Sequence, residues 1–131
     1  MSNSLYDAGR ALLLGGSINW ASTAIDAYLI NTAYYTPNIS SDTNISGVSG
    51  SAIVAGPVAL SSQSIVGGAA SAANVTFSSV TGATASGILL CVHSTGALLL
   101  WMDTASGLPI TPNGGNIIIV WDTGTNHIFK P

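Results

Sequence analysis

The chain has 131 residues, of which 47% are hydrophobic and only 5% are charged; soluble domains usually carry ~25% charged residues. Two basic residues, Arg10 and Lys130, are outnumbered by five acidic residues, all of them Asp, and the formal net charge is -3. The scarcity of basic residues argues against binding to nucleic acid or to an anionic membrane surface. Because a soluble monomer usually keeps more surface charge, we expect this chain to pack against other chains.

The first predicted element is a helix over Ser4–Leu14, with Ser4 capping the first turn and Asp7 as its capping-box partner. Gly15 and Gly16 end it. Downstream, the pattern is typical of strand and turn, with connections over 34–50, where one helical turn fits, and over 107–116. Strands are predicted over residues 25–31, 51–60, 74–80, 88–94, 97–103, 116–122 and 127–130, and residues 64–70 continue the strand over 51–60 after a tight turn.

The clearest predicted element is a hairpin. Two apolar runs, Ile88–Ser94 and Ala97–Asp103, flank Thr95-Gly96, and a two-residue loop with Gly favours a tight hairpin turn. Because both arms are almost entirely apolar, we expect this pair of strands to be covered on both faces. In the strand over 51–60, Pro57 indicates an edge strand or a bulge.

About seven strands with turns every ten or so residues are typical of an antiparallel fold. We therefore predict a single mainly β domain over residues 1–131, an antiparallel β-sandwich or barrel-like fold with a short N-terminal helix. The most apolar stretch, Gly87–Met102, is shorter than the roughly 20 residues that cross a bilayer, so no membrane span is expected. The N-terminus also lacks the basic start of a signal peptide.

Asp122-Thr123-Gly124 matches the active-site motif of aspartic proteases. Such an enzyme needs two carboxylates that share a proton, from two lobes or two subunits. Only seven residues follow Gly124, too few to build the strands that cradle the Asp loop. The sequence favours a hairpin turn at this motif, and we expect no enzymatic activity and no catalytic residues.

Cys91 and His93 are two residues apart on a predicted strand and would share a face. They supply at most two ligands, whereas metal sites cluster several His, Cys, Asp or Glu side chains. No third ligand lies near them in sequence, and a half-buried strand pair explains both residues more simply. The two histidines, His93 and His127, are the residues that could otherwise serve as metal ligands or as a general base. We expect no metal and no cofactor.

Aromatic side chains are the remaining candidates for a binding role. Trp20, Tyr34, Tyr35 and Trp101 are candidate interface anchors, because aromatic residues are enriched where proteins bind one another. These four, together with Tyr28 and Trp121, would also suit a platform for sugar rings. The sequence therefore leaves a glycan-binding module open as an alternative.

Both ends of the chain resemble a group of small proteins of tailed bacteriophages. The opening resemblance covers SLYDAGRALLLGGSINWASTAIDAYLINTAYYTPN, residues 4–38, and the closing one covers DTASGLPITPNGGNIIIVWDTGTNHIFKP, residues 103–131. The run GLPITPNGG and the terminal IFK are its most specific parts, and the middle, VTFSSVTGATASGILLCVHSTG, is similar in pattern. The chain differs from the group in carrying much less charge in its middle and at the start of its strands.

The resemblance implies a non-enzymatic structural protein of the virion, assembled in the host cytoplasm, with no catalytic residues to carry over. Within that class we favour a capsid decoration or cement protein. Its expected partners are the major capsid protein or other virion proteins, and further copies of itself in a homo-oligomer. A tail, baseplate or head-to-tail accessory protein is the alternative within the same class.

Overall fold

A computed structural model describes residues 4–103, 108–121 and 128–129. In these residues the chain forms one α-helix and nine strands, and all strand pairs are antiparallel. This confirms the predicted mainly β fold with a short N-terminal helix. The elements are β1 Ser4–Leu5, α1 Asp7–Leu14, β2 Ile25–Ile30, β3 Ile53–Ala59, β4 Ser64–Val66, β5 Ala69–Ser71, β6 Val75–Phe77, β7 Gly87–Val92, β8 Leu98–Met102 and β9 Ile117–Ile119.

The main sheet has five strands in the order β1-β8-β7-β2-β3, and two two-stranded sheets, β4-β5 and β6-β9, accompany it. The predicted pair of strands is confirmed as β7 and β8, and every residue of both strands is buried. The predicted two-residue loop is wrong: Val92 pairs with Ala97, so the loop has four residues, 93–96. Strand β2 pairs along its full length with β7, from Ile25 opposite Val92 to Ile30 opposite Gly87. These three strands form the centre of the molecule.

Each face of the main sheet has its own cover, because side chains alternate between the faces along each strand. On one face, residues such as Leu29 and Leu90 pack in a core with Phe77 of β6 and Ile119 of β9. This places the small sheets in a second, sandwich-like layer. On the other face, the connection over 34–52 contributes to a smaller core around Trp101. That connection includes two single-turn 3-10 helices, Ile45–Gly47 and Gly50–Ala52.

The N-terminal helix is shorter than predicted. It begins at Asp7, and Ser4 does not cap it, because Ser4 and Leu5 pair with Trp101 and Leu100 of β8 instead. The Asp7 carboxylate accepts a hydrogen bond from Arg10 at 2.8 Å. Pairing with the edge of a sheet satisfies more backbone groups than one more helical turn would, and tertiary context overrides the local capping signal.

Strand β3 lies at the edge of the main sheet, as Pro57 predicts. Its register with β2 shifts twice. Gly56 is required beside this irregularity, because it has φ +115° and a Cβ there would lie 2.7 Å from the Ala27 carbonyl oxygen. The predicted strand over 64–70 is instead two strands, β4 and β5, joined by a turn at Gly67 and Gly68, both with positive φ.

Candidate functional site

The small sheets present apolar side chains to solvent. In β4, Ile65 is 60% and Val66 47% exposed. At β9, Ile118 is 58% and the following Val120 51% exposed, whereas Ile117, Ile119 and Trp121 are buried in the core. This alternation is that of a strand with one face on the core. Ile65 and Val66 are consecutive in β4 and so point to opposite faces of that strand, and β4 and β9 belong to different two-stranded sheets. We use the name aliphatic surface for these four exposed residues, Ile65, Val66, Ile118 and Val120, as a set carried by both small sheets.

Strand β4 is also an edge. All three of its residues are exposed, and within the described part of the chain it pairs only with β5. The other side of β5 is occupied, since Ala70 bridges to Phe129. Natural proteins often protect such an edge with Lys or Pro, but β4 contains neither and β9 carries no charge. The aliphatic surface and this edge can therefore meet another protein chain without desolvating a charged group of their own.

The four aromatic residues that were predicted as interface anchors differ in how much of each side chain is exposed. Trp20 is 5% exposed, packs edge-on against Phe129, and its Nε1 donates to the Ser71 carbonyl oxygen at 2.9 Å. Trp101 is 1% exposed. Both indoles lie inside the protein's own core, so neither offers surface to a partner in this fold. Tyr34 is 63% exposed, and an interface role for it stays a prediction.

Tyr35, the fourth of these aromatics, is half-buried in a network of hydrogen bonds. Its hydroxyl lies 2.6 Å from the Tyr6 hydroxyl and donates to the Asp42 carboxylate at 2.8 Å. Burial is the main cause that raises the pKa of both tyrosines, so their hydroxyls stay protonated at neutral pH and act as donors. The network fixes the 34–52 connection over the main sheet.

Sequence reasoning did not find a second polar contact, between Asp26 and His93. His93 Nδ1 lies 2.8 Å from Asp26 Oδ2; the carboxylate is buried while the imidazole is largely exposed. Cys91 pairs with Asp26 across β2 and β7. Burial, with a smaller contribution from Asp26, raises the pKa of the Cys91 thiol to about 12. The thiol is therefore protonated at neutral pH and a poor nucleophile or metal ligand.

The observed register explains this contact, because Asp26 lies opposite Cys91 and His93 follows Cys91 by two residues. The sequence predicts both strands but not that they are neighbours. Among the described residues no group of three or more His, Cys, Asp or Glu side chains is placed to hold a metal ion. The Asp122-Thr123-Gly124 motif and His127 lie outside the described residues. No helix in the described ranges combines the length and the apolar character that crossing a membrane requires.

Comparison with known proteins gives no family or relative from which to infer a function, so the functional argument depends on the residues described above. No protein-family model matches the sequence, and no curated protein matches it significantly. The resemblance to small bacteriophage proteins therefore stays a prediction, and the aliphatic surface is the feature of the fold that best fits it.

Proposed function

We propose that this protein is a non-enzymatic structural component of a bacteriophage virion, and specifically a decoration or cement protein that stabilises the capsid shell. The observation that carries the proposal is the aliphatic surface on the two small sheets, in a chain whose charged residues amount to only 5%. The resemblance at both ends of the sequence supports the assignment to the virion.

The size of the aliphatic surface favours attachment at many equivalent sites. Fully burying an aliphatic side chain contributes about 1.5–3 kcal/mol, so covering the two half-exposed side chains on either small sheet contributes ~2 kcal/mol. Association of two proteins costs a comparable or larger free energy. One contact of this kind is weak, whereas repeated contacts on a symmetric shell gain from high effective concentration. Because the contacts are apolar, salt would weaken them little.

Counting copies tests the proposal directly. Quantitative mass spectrometry of purified virions, with labelled peptides of this chain as standards, should find on the order of hundreds of copies per particle, as expected for repetition over a shell. A few copies per particle would favour the tail, baseplate or head-to-tail alternative. Absence from mature particles would contradict both assignments.

Charge substitutions then test the surface. Ile65→Asp and Ile118→Asp each place a carboxylate in the aliphatic surface and should reduce incorporation into particles at least about tenfold, because a buried unpaired carboxylate is costly. Ser46→Asp is the matched control, because it adds the same charge at an exposed position of the 34–52 connection, which covers the other face of the main sheet. Circular dichroism verifies that all three variants fold. Normal incorporation of both Ile variants would place the contact elsewhere.

A further inference from the structure

The β4-β5 hairpin directs the backbone of Ile65 towards its outer edge. Ile65 lies opposite Ala70. The Ala70 N–H donates to the Phe129 carbonyl oxygen at 2.8 Å, and the Ala70 carbonyl accepts from the Ile128 N–H at 2.9 Å, on the side of β5 away from β4. Opposite residues of an antiparallel pair either bond to each other or both direct their N–H and C=O groups outward. The Ile65 N–H and C=O therefore point out from β4, where no strand among the described residues bonds them.

Hydrogen bonds to the body of the molecule hold this edge in place. Just before β4, the Gln63 side-chain amide donates to the carbonyl oxygens of Trp20 and Thr23 at 2.6 and 3.0 Å. At the end of β5, the Ser71 carbonyl oxygen accepts from Trp20 Nε1 at 2.9 Å. Because the hairpin is fixed at both ends, a strand that pairs with β4 has little chain to order, and this lowers the cost of association.

The side chains along the edge suit an uncharged partner. Ile65 and Val66 are 60% and 47% exposed and point to opposite faces of the strand, so an added strand would cover part of each. Residues 61–73, which include the whole hairpin, carry no charged side chain. Two copies of this segment can therefore approach each other without repulsion between like charges.

The strand is also complementary to itself. Ile65 is the middle residue of the three in β4, so antiparallel pairing of two copies about a two-fold axis places Ile65 opposite the partner's Ile65. The two residues would then exchange both of their backbone hydrogen bonds, and the two isoleucine side chains would lie side by side. We propose that β4 is a self-association edge, at which two copies of this chain join their hairpins into one four-stranded antiparallel sheet. This proposal is independent of the role in the virion.

The contact is small, so self-association in solution should be weak. A standard stable interface uses roughly 20–30 residues a side, whereas this edge offers a strand of three residues. We expect a dissociation constant on the order of 1 mM. In ¹H–¹⁵N spectra of the full chain up to about 2 mM, the amide signals of Ile65 and Val66 should shift with concentration, while those of Ala27 in the central strand β2 should not.

Charge exchange at position 65 tests whether the partner is a second copy. Ile65→Asp and Ile65→Lys each place like charges opposite one another across the two-fold axis, and each should weaken self-association at least about tenfold. An equimolar mixture of the two variants places opposite charges there and should restore the concentration-dependent shifts. Ser46→Asp and Ser46→Lys are the matched controls at an exposed position away from β4, and each should associate as the unmodified chain does.

Three results would overturn the proposal. The first is an unmodified chain whose Ile65 and Val66 signals do not move with concentration, which would leave the edge to a strand of a different protein. The second is self-association of either Ile65 variant as strong as that of the unmodified chain. The third is a mixture of the two variants that associates no better than each alone. Circular dichroism verifies that the variants fold, and none of these results depends on the copy number in virions.

Discussion

The central hairpin and the small sheets are made of the same aliphatic residue types, yet they have opposite environments. Strands β7 and β8 are buried on both faces, while β4 is exposed throughout and β9 is buried on one face only. They differ because the hairpin is covered by a hydrophobic core on each side, whereas β4 lies at a sheet edge. The comparison separates residues that stabilise the fold from residues available for assembly.

The largest effect is expected from Leu90→Ala in β7. Leu90 is fully buried in the main core, and removing a buried leucine side chain costs about 2–5 kcal/mol through lost burial and the cavity left behind. The free energy of unfolding, measured with urea, should fall by that amount. A cost below ~1 kcal/mol would show that the hairpin does not dominate stability.

Gly9→Ala in helix α1 tests the cover of the hairpin. A Cβ at Gly9 would lie 2.8 Å from the Leu99 Cα and carbonyl oxygen, which are backbone atoms of β8. Although Ala favours helix by about 1 kcal/mol over Gly, the clash should give a net loss of ~1–3 kcal/mol in the free energy of unfolding. Gly47→Ala is the control, because no atom lies within 4 Å of its added Cβ. Equal effects of the two substitutions in urea unfolding would contradict close packing of α1 on β8.

The buried thiol of Cys91 predicts a loss of stability at alkaline pH. Its pKa is raised to about 12 in the folded state, whereas an unfolded cysteine ionises near ~8.5. The stabilising contribution of the protonated thiol is therefore fully present below pH ~8.5. Above that pH the unfolded chain loses its thiol proton, and the free energy of unfolding falls by up to ~1.4 kcal/mol per pH unit. Urea unfolding between about pH 7.5 and pH 9 measures this slope, because unfolded tyrosines, whose pKa is near ~10, titrate mainly above that range.

Cys91→Ala is the control for that experiment. The variant is less stable at neutral pH because it leaves a cavity, but its free energy of unfolding should lose the part of the alkaline slope that comes from the thiol. An equal slope in both proteins would mean that Cys91 does not contribute to it.

The smallest effect is expected from Ile118→Ala in β9. The Ile118 side chain is 58% exposed, and substitutions at exposed positions usually change the free energy of unfolding by less than about 0.5 kcal/mol. The same variant should incorporate less well into particles, since it removes part of the aliphatic surface. A loss of stability comparable to that of Leu90→Ala would mean that Ile118 belongs to the core.

The hydrophobic pattern of the sequence predicted the elements that are buried on both faces or that alternate between buried and exposed residues. The two strands of the hairpin were found from their two apolar runs, and β6, with Val75 and Phe77 buried, lies within the predicted strand over 74–80. Prediction of the helix start was wrong, because Ser4 has a capping residue's chemistry but lies where β8 offers a backbone partner. Trp20 and Trp101 show the same limit, since residue type does not reveal which tryptophans are enclosed.

The sequence by itself determined the fold class, the central hairpin and the near absence of charge, because each depends on residue types and their period along the chain. Only the tertiary structure decided which apolar side chains remain exposed, and it brought together Asp26 with His93, and Tyr35 with Tyr6 and Asp42. Those contacts join segments up to 67 residues apart. The physical reason is that burial and hydrogen bonding depend on which elements pack together, and local periodicity carries little information about that choice.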